Sequence, residues 1–582
     1  MIVNAPPFVL LDDARHGGAA ARLYTAPVDI VTAHRPEQVA PALAALRRAR
    51  REGLHAAGYL AYEAGAAFEP GGAARAVDGP LLWFGLFRDH ATVDVAALLP
   101  DPAGAWAGDL VPEGDAERHA RQFAEVQALI AAGDLYQVNL TFRAQVPVAG
   151  DPLALYAGLR ARSRAGWGAV VATEEATILS LSPELFFALE DGRLTARPMK
   201  GTARRDDDPA ADARAAQELR DDPKQRAENL MIVDLMRNDL SRVARPGSVA
   251  VPALFAVEPY PTVHQMVSTV TADLAEGQDA LDVLSALFPC GSITGAPKIR
   301  AMQAIAEIED SPRGLYTGAI GRLDADGDAM FNVAIRTLTW PHGADHATLG
   351  LGSGVVADSV AADEWDECLA KAAFLDGGRS DVDLIETMAF DPVDGIQHLE
   401  EHLARMKASA AALGFTFDRH DARNELQAAT FRLRDTRRIR LLLARSGAVV
   451  VEVAPRPAPF DGVVPVRIVP LPVATSDLRL RHKTSARGFY DSARAAAGTA
   501  EVVFETPDGY LTEGSYTSLF VARGDKLVTP PLAQGLLPGV LRGHLIESGR
   551  AVEGPLTRAD LQDGFLLGNA LRGLFRAQMV AD

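Results

Sequence analysis

Cysteine is nearly missing from this chain. Its 582 residues include two, Cys290 and Cys368, and neither belongs to a CxxC pair. That scarcity argues against a disulfide framework or a cysteine-rich zinc site and fits a reducing, cytoplasmic setting. Long apolar runs are missing as well. No stretch approaches the roughly 20 uninterrupted apolar residues that cross a bilayer, so no transmembrane helix is expected. The opening MIVNAPPFVLLDD has neither a basic start nor an extended apolar core, so no signal peptide is expected. Positive charge is in deficit, with a net charge of −18. A nucleic-acid-binding surface needs a basic stripe, and this balance argues against one. It leaves room for small anionic substrates held by a local group of arginines and lysines.

The chain is too long for one hydrophobic core. The clearest seam is FLDGGRSDVDL, 374–384, where a helical pattern stops at Gly377-Gly378 and a polar turn follows. This predicts two domains, 1–378 and 379–582. Each mixes strands with helices and lacks the regular alternation of a doubly wound parallel sheet, so both are assigned to the α+β class. In the first domain LLWFGLF (81–87) and ATILSLS (176–182) are predicted strands and 117–133 a helix. In the second, RRIRLLLARSGAVVVEVAP (437–455) predicts a hairpin around Ser446-Gly447.

Three acidic residues draw attention. Asp222 and Pro223 form a good helix start, and on the helix that follows Glu228 shares a face with Ile232 and Leu235. A carboxylate on an apolar face is costly unless it is paired or metal-bound. In SVAADEWDECLAKAAFL, Glu364 and Glu367 are three apart on a predicted helix, and Lys371 follows Glu367 at i+4. An exposed ion-pair ladder and a set of Mg²⁺ ligands both fit that spacing. Two glycine-rich stretches, GSITGAPKIRAM (291–302) and LGLGSGVVADS (349–359), allow a ligand to approach the backbone closely, although each also reads as a tight turn.

The order of these blocks is distinctive. AGDLYQVNLTFR (132–143), SPELFF (182–187), RPMKGTARR (197–205), KQRAENLMIVDLMRNDLSRV (224–243), PTVHQMVSTV (261–270), GSITGAPKIRAM (291–302), RGLYTGAIG (313–321), FNVAIRT (331–337) and GSGVVADSVAADEWDECLAKA (352–372) follow one another. Residues 1–378 thereby resemble the chorismate-utilising enzymes, which include anthranilate, aminodeoxychorismate and isochorismate synthases. The resemblance implies a large α/β sandwich and Mg²⁺ held by Glu228, Glu364 and Glu367 against the ring carboxylate of chorismate. It implies that Tyr316, Arg336, Gly352 and Gly354 hold the other carboxylate. Ser292 and Thr294 would close over the substrate, and Gln137 and His264 would line its ring. Glu184 would protonate the departing C4 hydroxyl, a role that needs a carboxyl still protonated near neutral pH.

Lys200 discriminates within that family. Anthranilate synthases typically carry PIAGT at this place and aminodeoxychorismate synthases PIKGT; this chain has PMKGT. The resemblance therefore implies amination at C4 through a covalent intermediate in which the lysine amine occupies C2, a division of one displacement into two. The amine must be neutral, and Arg197, Arg204 and Arg205 would favour that form if they faced it. The chain has no recognisable glutaminase nucleophile, so ammonia would come from a separate glutamine amidotransferase subunit or from solution.

Residues 379–582 carry a second set. DLRLRHKTSARGFYDSARAAA holds Lys483. LTEGSYTSLFVARGDKLVTPPLAQGLLPGVLRGHL adds an acid-Gly-Ser turn and a Gly-Leu-Leu-Pro-Gly turn, and HLEEHLARMKASAAALGF reads as an amphipathic helix. Together they resemble the class IV pyridoxal-phosphate enzymes, a two-subdomain α+β fold that includes branched-chain and D-amino acid aminotransferases and aminodeoxychorismate lyase. The resemblance implies that Lys483 carries pyridoxal 5′-phosphate and Glu513 faces the pyridinium nitrogen. Arg405, Ser518 and the main chain at Val540 and Leu541 would hold the phosphate, and Tyr490 the phenolic oxygen. It also implies a homodimer through this domain. Thr517-Ser518 stands where many members have Ser-Asn, and GNALRGL (568–574) is closer to lyases than to transaminases. The two halves together imply formation of 4-amino-4-deoxychorismate and then of 4-aminobenzoate. The rival readings are anthranilate synthesis beside an aminotransferase, and a non-catalytic amidotransferase-docking module beside an active pyridoxal-phosphate lyase.

Overall fold

The computed structural model describes residues 6–260, 263–378 and 382–580. The chain forms two compact units. The first comprises 1–99, 109–147 and 156–377; the second comprises 100–108, 148–155 and 378–582. Two short early segments thus belong with the second unit, which a single cut near residue 378 does not capture.

Among the described residues the first unit is built on two antiparallel sheets, the smaller of 10 strands. Their facing sides share a core. Val9, Leu11, Ala169, Val171 and Ile178 come from the larger sheet, and Ala57, Tyr59, Trp83, Phe87 and Ile320 from the smaller. The helices Pro36–Arg51, Pro223–Ser241 and Ala280–Leu287 cover the other face of the smaller sheet through Val39, Leu43, Ile232, Val233, Met236, Leu281 and Leu284. Ala116–Ala131 and Lys298–Ile308 cover the larger sheet around strand Gln137–Gly150. Such alternation of buried strand residues and one-sided helix stripes is what a layered α+β core requires.

Three details position the site. Strand Gln137–Gly150 pairs antiparallel with His346–Val355, setting Asn139 opposite Gly354 and Thr141 opposite Gly352. Strand Met199–Arg204 pairs at the sheet edge with Val263–Asp273, and its register shifts between Met199 and Thr202. Gly201 supplies the φ of +104° that this bulge needs. Helix Pro223–Ser241 starts where the sequence predicts, with the Asp222 carboxylate accepting from the N–H groups of Lys224 and Gln225.

The second unit has a four-stranded sheet that contains Leu384–Asp391 and the hairpin Arg437–Leu443/Val449–Pro455, and an eight-stranded sheet. The helices Leu399–Ala412 and Arg419–Thr430 pack on the smaller sheet through Leu403, Met406, Ala422 and Leu426, and Trp106 joins this core. Among the described residues no helix is long and apolar enough to cross a membrane.

Candidate functional site

In the first unit the bulge directs Lys200 into a group of acids. Its Nζ lies 3.5 Å from Glu228 Oε2. It also exerts an electrostatic pull on Glu184 and Glu367. The Lys200 amine occupies the space beside Gly354: a Cβ built there would lie 2.7 Å from Nζ and 3.2 Å from Gln137 Nε2. Gln137 is buried, and its Oε1 has no hydrogen-bond partner among the described residues. The Lys200 backbone is fixed from the same helix that presents Glu228. Asn229, 1% exposed, donates Nδ2 to the Lys200 carbonyl at 3.2 Å and accepts from Ser268 Oγ at 2.6 Å.

Glu184 is buried, and Ser292 Oγ donates to its Oε1 at 2.9 Å. Desolvation pushes the carboxyl up to about 7, against the opposing effects of Ser292 and Lys200. Burial also opposes charge on Glu367, but Lys371, 2.8 Å away, and Lys200 hold its carboxyl below the usual range. Glu364 lies on the same helix, Ala361–Ala370, and acts electrostatically on His119 and Lys224. Arg336 sits at φ +51°, and desolvation lowers its guanidinium. No carboxylate pairs with it among the described residues, which suits an anionic ligand. Burial raises the Tyr316 phenol, and the ring fits because Gly350 has no side chain; a Cβ there would lie 2.0 Å from Tyr316 Cγ. Beyond Tyr316 lies a cavity of about 430 Å³, lined in part by Tyr59, Trp83, Arg143 and Gly350.

Several expectations need correction. The arginines flanking Lys200 do not turn toward it: Arg197 pairs with Glu258, Arg205 pairs with Asp212 at 2.7 Å, and Arg204 is exposed. The charged neighbour of Lys200 is a carboxylate. His264 shares a hydrogen bond of 2.8 Å with Asp212, the partner of Arg205. Thr294 is fully buried and donates to the Cys290 carbonyl at 2.8 Å, which makes it a fixture of the loop. Glu228, Glu364 and Glu367 do not form a ready cluster of ligand atoms within 4.8 Å of one another. Lysines engage two of them instead. Their oxygen donors still suit a hard, largely hydrated divalent ion.

In the second unit the strand Leu384–Asp391 and helix Leu399–Ala412 fix an arginine. Arg405 donates Nε and Nη2 to the two oxygens of Glu386 at 2.8 and 2.6 Å, and Nη1 to the Pro538 carbonyl at 3.0 Å. Glu386 also bonds His402 at 2.6 Å, and Arg405 and His402 hold its buried carboxyl strongly ionised. Pro538 leads into Gly539, the N-cap of helix Val540–Glu547. A Cβ at Gly539 would lie 2.6 Å from Ser518 Oγ, so this hydroxyl borders the turn at the start of helix Val540–Glu547, where the first N–H groups have no partner within the helix. Lys483 is pushed down to about 7 by desolvation, assisted by Arg405, Arg487 and Arg440 and opposed by Glu386. Burial pushes Glu513 up to about 7.

Tyr490 departs from its expected place. Its hydroxyl donates to Glu513 Oε1 at 2.6 Å, so it supports the acid expected at the ring nitrogen. Thr517 donates to the buried Glu501 at 3.0 Å, leaving Ser518 as the hydroxyl at the turn. In GNALRGL, Asn569 ties the strand end to the Tyr516 carbonyl at 2.9 Å. The reading of the sequence missed Asn229 and Glu386. Both carried a signal: an amide in the buried stripe with Val233, Met236 and Leu240, and an acid inside the apolar strand LIETMAF.

Residues 6–376 match the family model for chorismate binding enzymes, and residues 383–580 match that for amino-transferase class IV. The aminodeoxychorismate synthase component 1 of Klebsiella aerogenes is 48% identical over 255 residues, 44% of this chain and 56% of that protein. The anthranilate synthase component 1 of Streptomyces coelicolor is 42% identical over 281 residues, 48% of this chain and 54% of its own length. The chain thus spans about half the length of these curated relatives. The crystal structure of anthranilate synthase component I from Streptococcus pneumoniae superposes with a TM-score of 0.54 at 25% identity, covering 65% of this chain and 94% of that one. The chain belongs to the chorismate binding enzyme family and carries an amino-transferase class IV domain after it.

Proposed function

We propose that the chain makes 4-aminobenzoate in two steps, amination of chorismate at C4 followed by loss of pyruvate. The observation that carries this reading is the place of Lys200, whose amine lies beside Gly354 and 3.5 Å from Glu228, among acids that include the neutral-leaning Glu184. In the first step the Lys200 amine attacks C2, the ring double bonds shift, and the C4–O bond breaks. Glu184 gives its proton to the departing hydroxyl, which leaves as water. Ammonia then attacks C4, the double bonds shift back, the C2–N bond returns its electrons to Lys200, and the ammonium formed at C4 returns a proton to Glu184. The net change is chorismate plus ammonia to 4-amino-4-deoxychorismate plus water. Arg336 and Tyr316 would orient the enolpyruvyl carboxylate. Glu228, Glu364 and Glu367 would hold Mg²⁺, whose chemistry there is to neutralise the ring carboxylate. The ammonia would come from a glutamine amidotransferase partner, consistent with the component 1 naming of the Klebsiella relative.

For the second step, Lys483, Arg405, Ser518, Glu513 and the start of helix Val540–Glu547 would hold pyridoxal 5′-phosphate: a buried lysine, a buried acid and an arginine bonded at the Pro538–Gly539 turn are the group types that its aldehyde, ring nitrogen and phosphate call for. When bound, the cofactor serves as an electron sink for the carbon bearing the amine. Lys483, neutral in part near pH 7, takes the proton from that carbon. The C3–O bond then breaks, the side chain leaves as enolpyruvate and takes up a proton to become pyruvate, and the ring becomes aromatic.

The test supplies purified protein with chorismate, ammonium, Mg²⁺ and pyridoxal phosphate and identifies the aromatic product by chromatography and mass spectrometry. 4-Aminobenzoate is expected; anthranilate would overturn the reading. Without ammonia, peptide mapping should place a chorismate-derived adduct on Lys200. A Lys200→Ala enzyme that keeps full C4 amination would remove the covalent step.

A further inference from the structure

A third cluster of chemically able side chains lies in the second unit, and neither proposed reaction uses it. It comprises His398, Glu401 and His544. Among the described residues it is the one set of three or more His, Cys, Asp or Glu side chains whose ligand atoms all lie within 4.8 Å of one another. His398 Nδ1 is 3.3 Å from Glu401 Oε1, and His544 Nδ1 is 3.7 Å from the same oxygen. The two imidazole rings meet edge to face with centroids 4.6 Å apart. Bonds of about 2.0–2.1 Å in a tetrahedron separate ligands by about 3.3 Å, so these atoms need only small shifts to share one ion.

The local structure favours this use. His398 is the N-cap of helix Leu399–Ala412, a place where Ser, Thr, Asp or Asn serve best. It caps nothing, and its backbone sits in the left-handed region at φ +54°. A side chain kept at a strained position without a capping bond points to another role. Glu401 lies one turn on, and His544 comes from a distant helix, Val540–Glu547. All three are partly exposed, with side chains 23%, 38% and 44% accessible, so an ion has a path in and water can complete its shell. The nearest acid on the same helix, Glu400, is held by Arg419 and Arg423. His402 faces away, onto Glu386.

We propose that His398, Glu401 and His544 bind a divalent transition-metal ion, Zn²⁺ being the best match to two imidazoles and one carboxylate. The ion braces helix Leu399–Ala412 against helix Val540–Glu547. These helices also carry Arg405 and the Gly539 turn, so the brace would steady the groups proposed for the cofactor phosphate. The uptake test does not depend on that reading.

The full-length protein, stripped with EDTA, is titrated with ZnCl₂ in a calorimeter, and the metal retained after desalting is measured by mass spectrometry. One equivalent should be retained, and CoCl₂ should give the visible bands of a tetrahedral ion. Glu401→Gln and His544→Ala should each weaken binding by more than the 10–100-fold typical of outer-shell losses. A Glu364→Gln/Glu367→Gln protein should keep the same uptake, which separates this site from the carboxylates of the first unit. Absence of uptake by the unaltered protein overturns the proposal. So does equal uptake by the unaltered, Glu401→Gln and His544→Ala proteins, each shown by circular dichroism to be folded.

Discussion

Glu184 shows how far a single residue's environment fixes its chemistry. A carboxyl in water gives up its proton well below neutrality. Here desolvation outweighs both the Ser292 bond and the pull of Lys200, and pushes the carboxyl up to about 7. A proton donor must hold its proton, so kcat/KM for amination should fall as pH rises through about 7. Glu184→Gln should remove that alkaline limb and lower kcat by roughly 10²–10⁴-fold, the usual contribution of a positioned acid. A pH profile over both enzymes checks this, and an alkaline limb unchanged in the variant would take the acid role from Glu184. Lys483 is the mirror case, an amine that burial brings down to about 7. The sequence singles out both residues as candidates, whereas the burial that tunes them comes from folding.

At the scale of elements, the bulge in strand Met199–Arg204 and helix Pro223–Ser241 act together. The helix start was legible because Asp222 and Pro223 are local signals, and the hairpin at Ser446-Gly447 was legible for the same reason. The direction of the arginines around Lys200 was not. Arg197 and Arg205 follow Glu258 and Asp212, acids 61 and 7 residues away that only the fold brings within reach. Tyr490 was misjudged for the same reason, since Glu513, 23 residues on, captures its hydroxyl. Asn229 is the joint between helix and bulge. Replacing it with leucine leaves the Lys200 carbonyl and the Ser268 hydroxyl without that partner, a loss of about 1–3 kcal/mol. Asn229→Leu should lower the unfolding midpoint of the first unit in urea and reduce amination more than chorismate affinity, because it loosens Lys200 and leaves Arg336 and Tyr316 in place. An unchanged kcat would show that the bulge holds Lys200 without Asn229.

At the scale of the whole molecule, the two proposed catalytic sets fall in different units of one chain. Lys200, Glu184, Glu228 and Arg336 belong to the first, and Lys483, Glu513, Arg405 and Ser518 to the second. No residue is shared, so reciprocal substitutions should separate the steps. Lys200→Ala should stop chorismate consumption yet convert supplied 4-amino-4-deoxychorismate to 4-aminobenzoate and pyruvate at the original rate. Lys483→Ala should do the reverse, consuming chorismate and accumulating the aminated product with no pyruvate released. Pyruvate, followed by coupled reduction to lactate, reads the second step; ammonium-dependent loss of chorismate reads the first. Mixing the two variants should restore 4-aminobenzoate through the released intermediate. If Lys483→Ala also stops chorismate consumption while the protein remains folded, the two steps are not separable, and the assignment of one complete reaction to each unit fails.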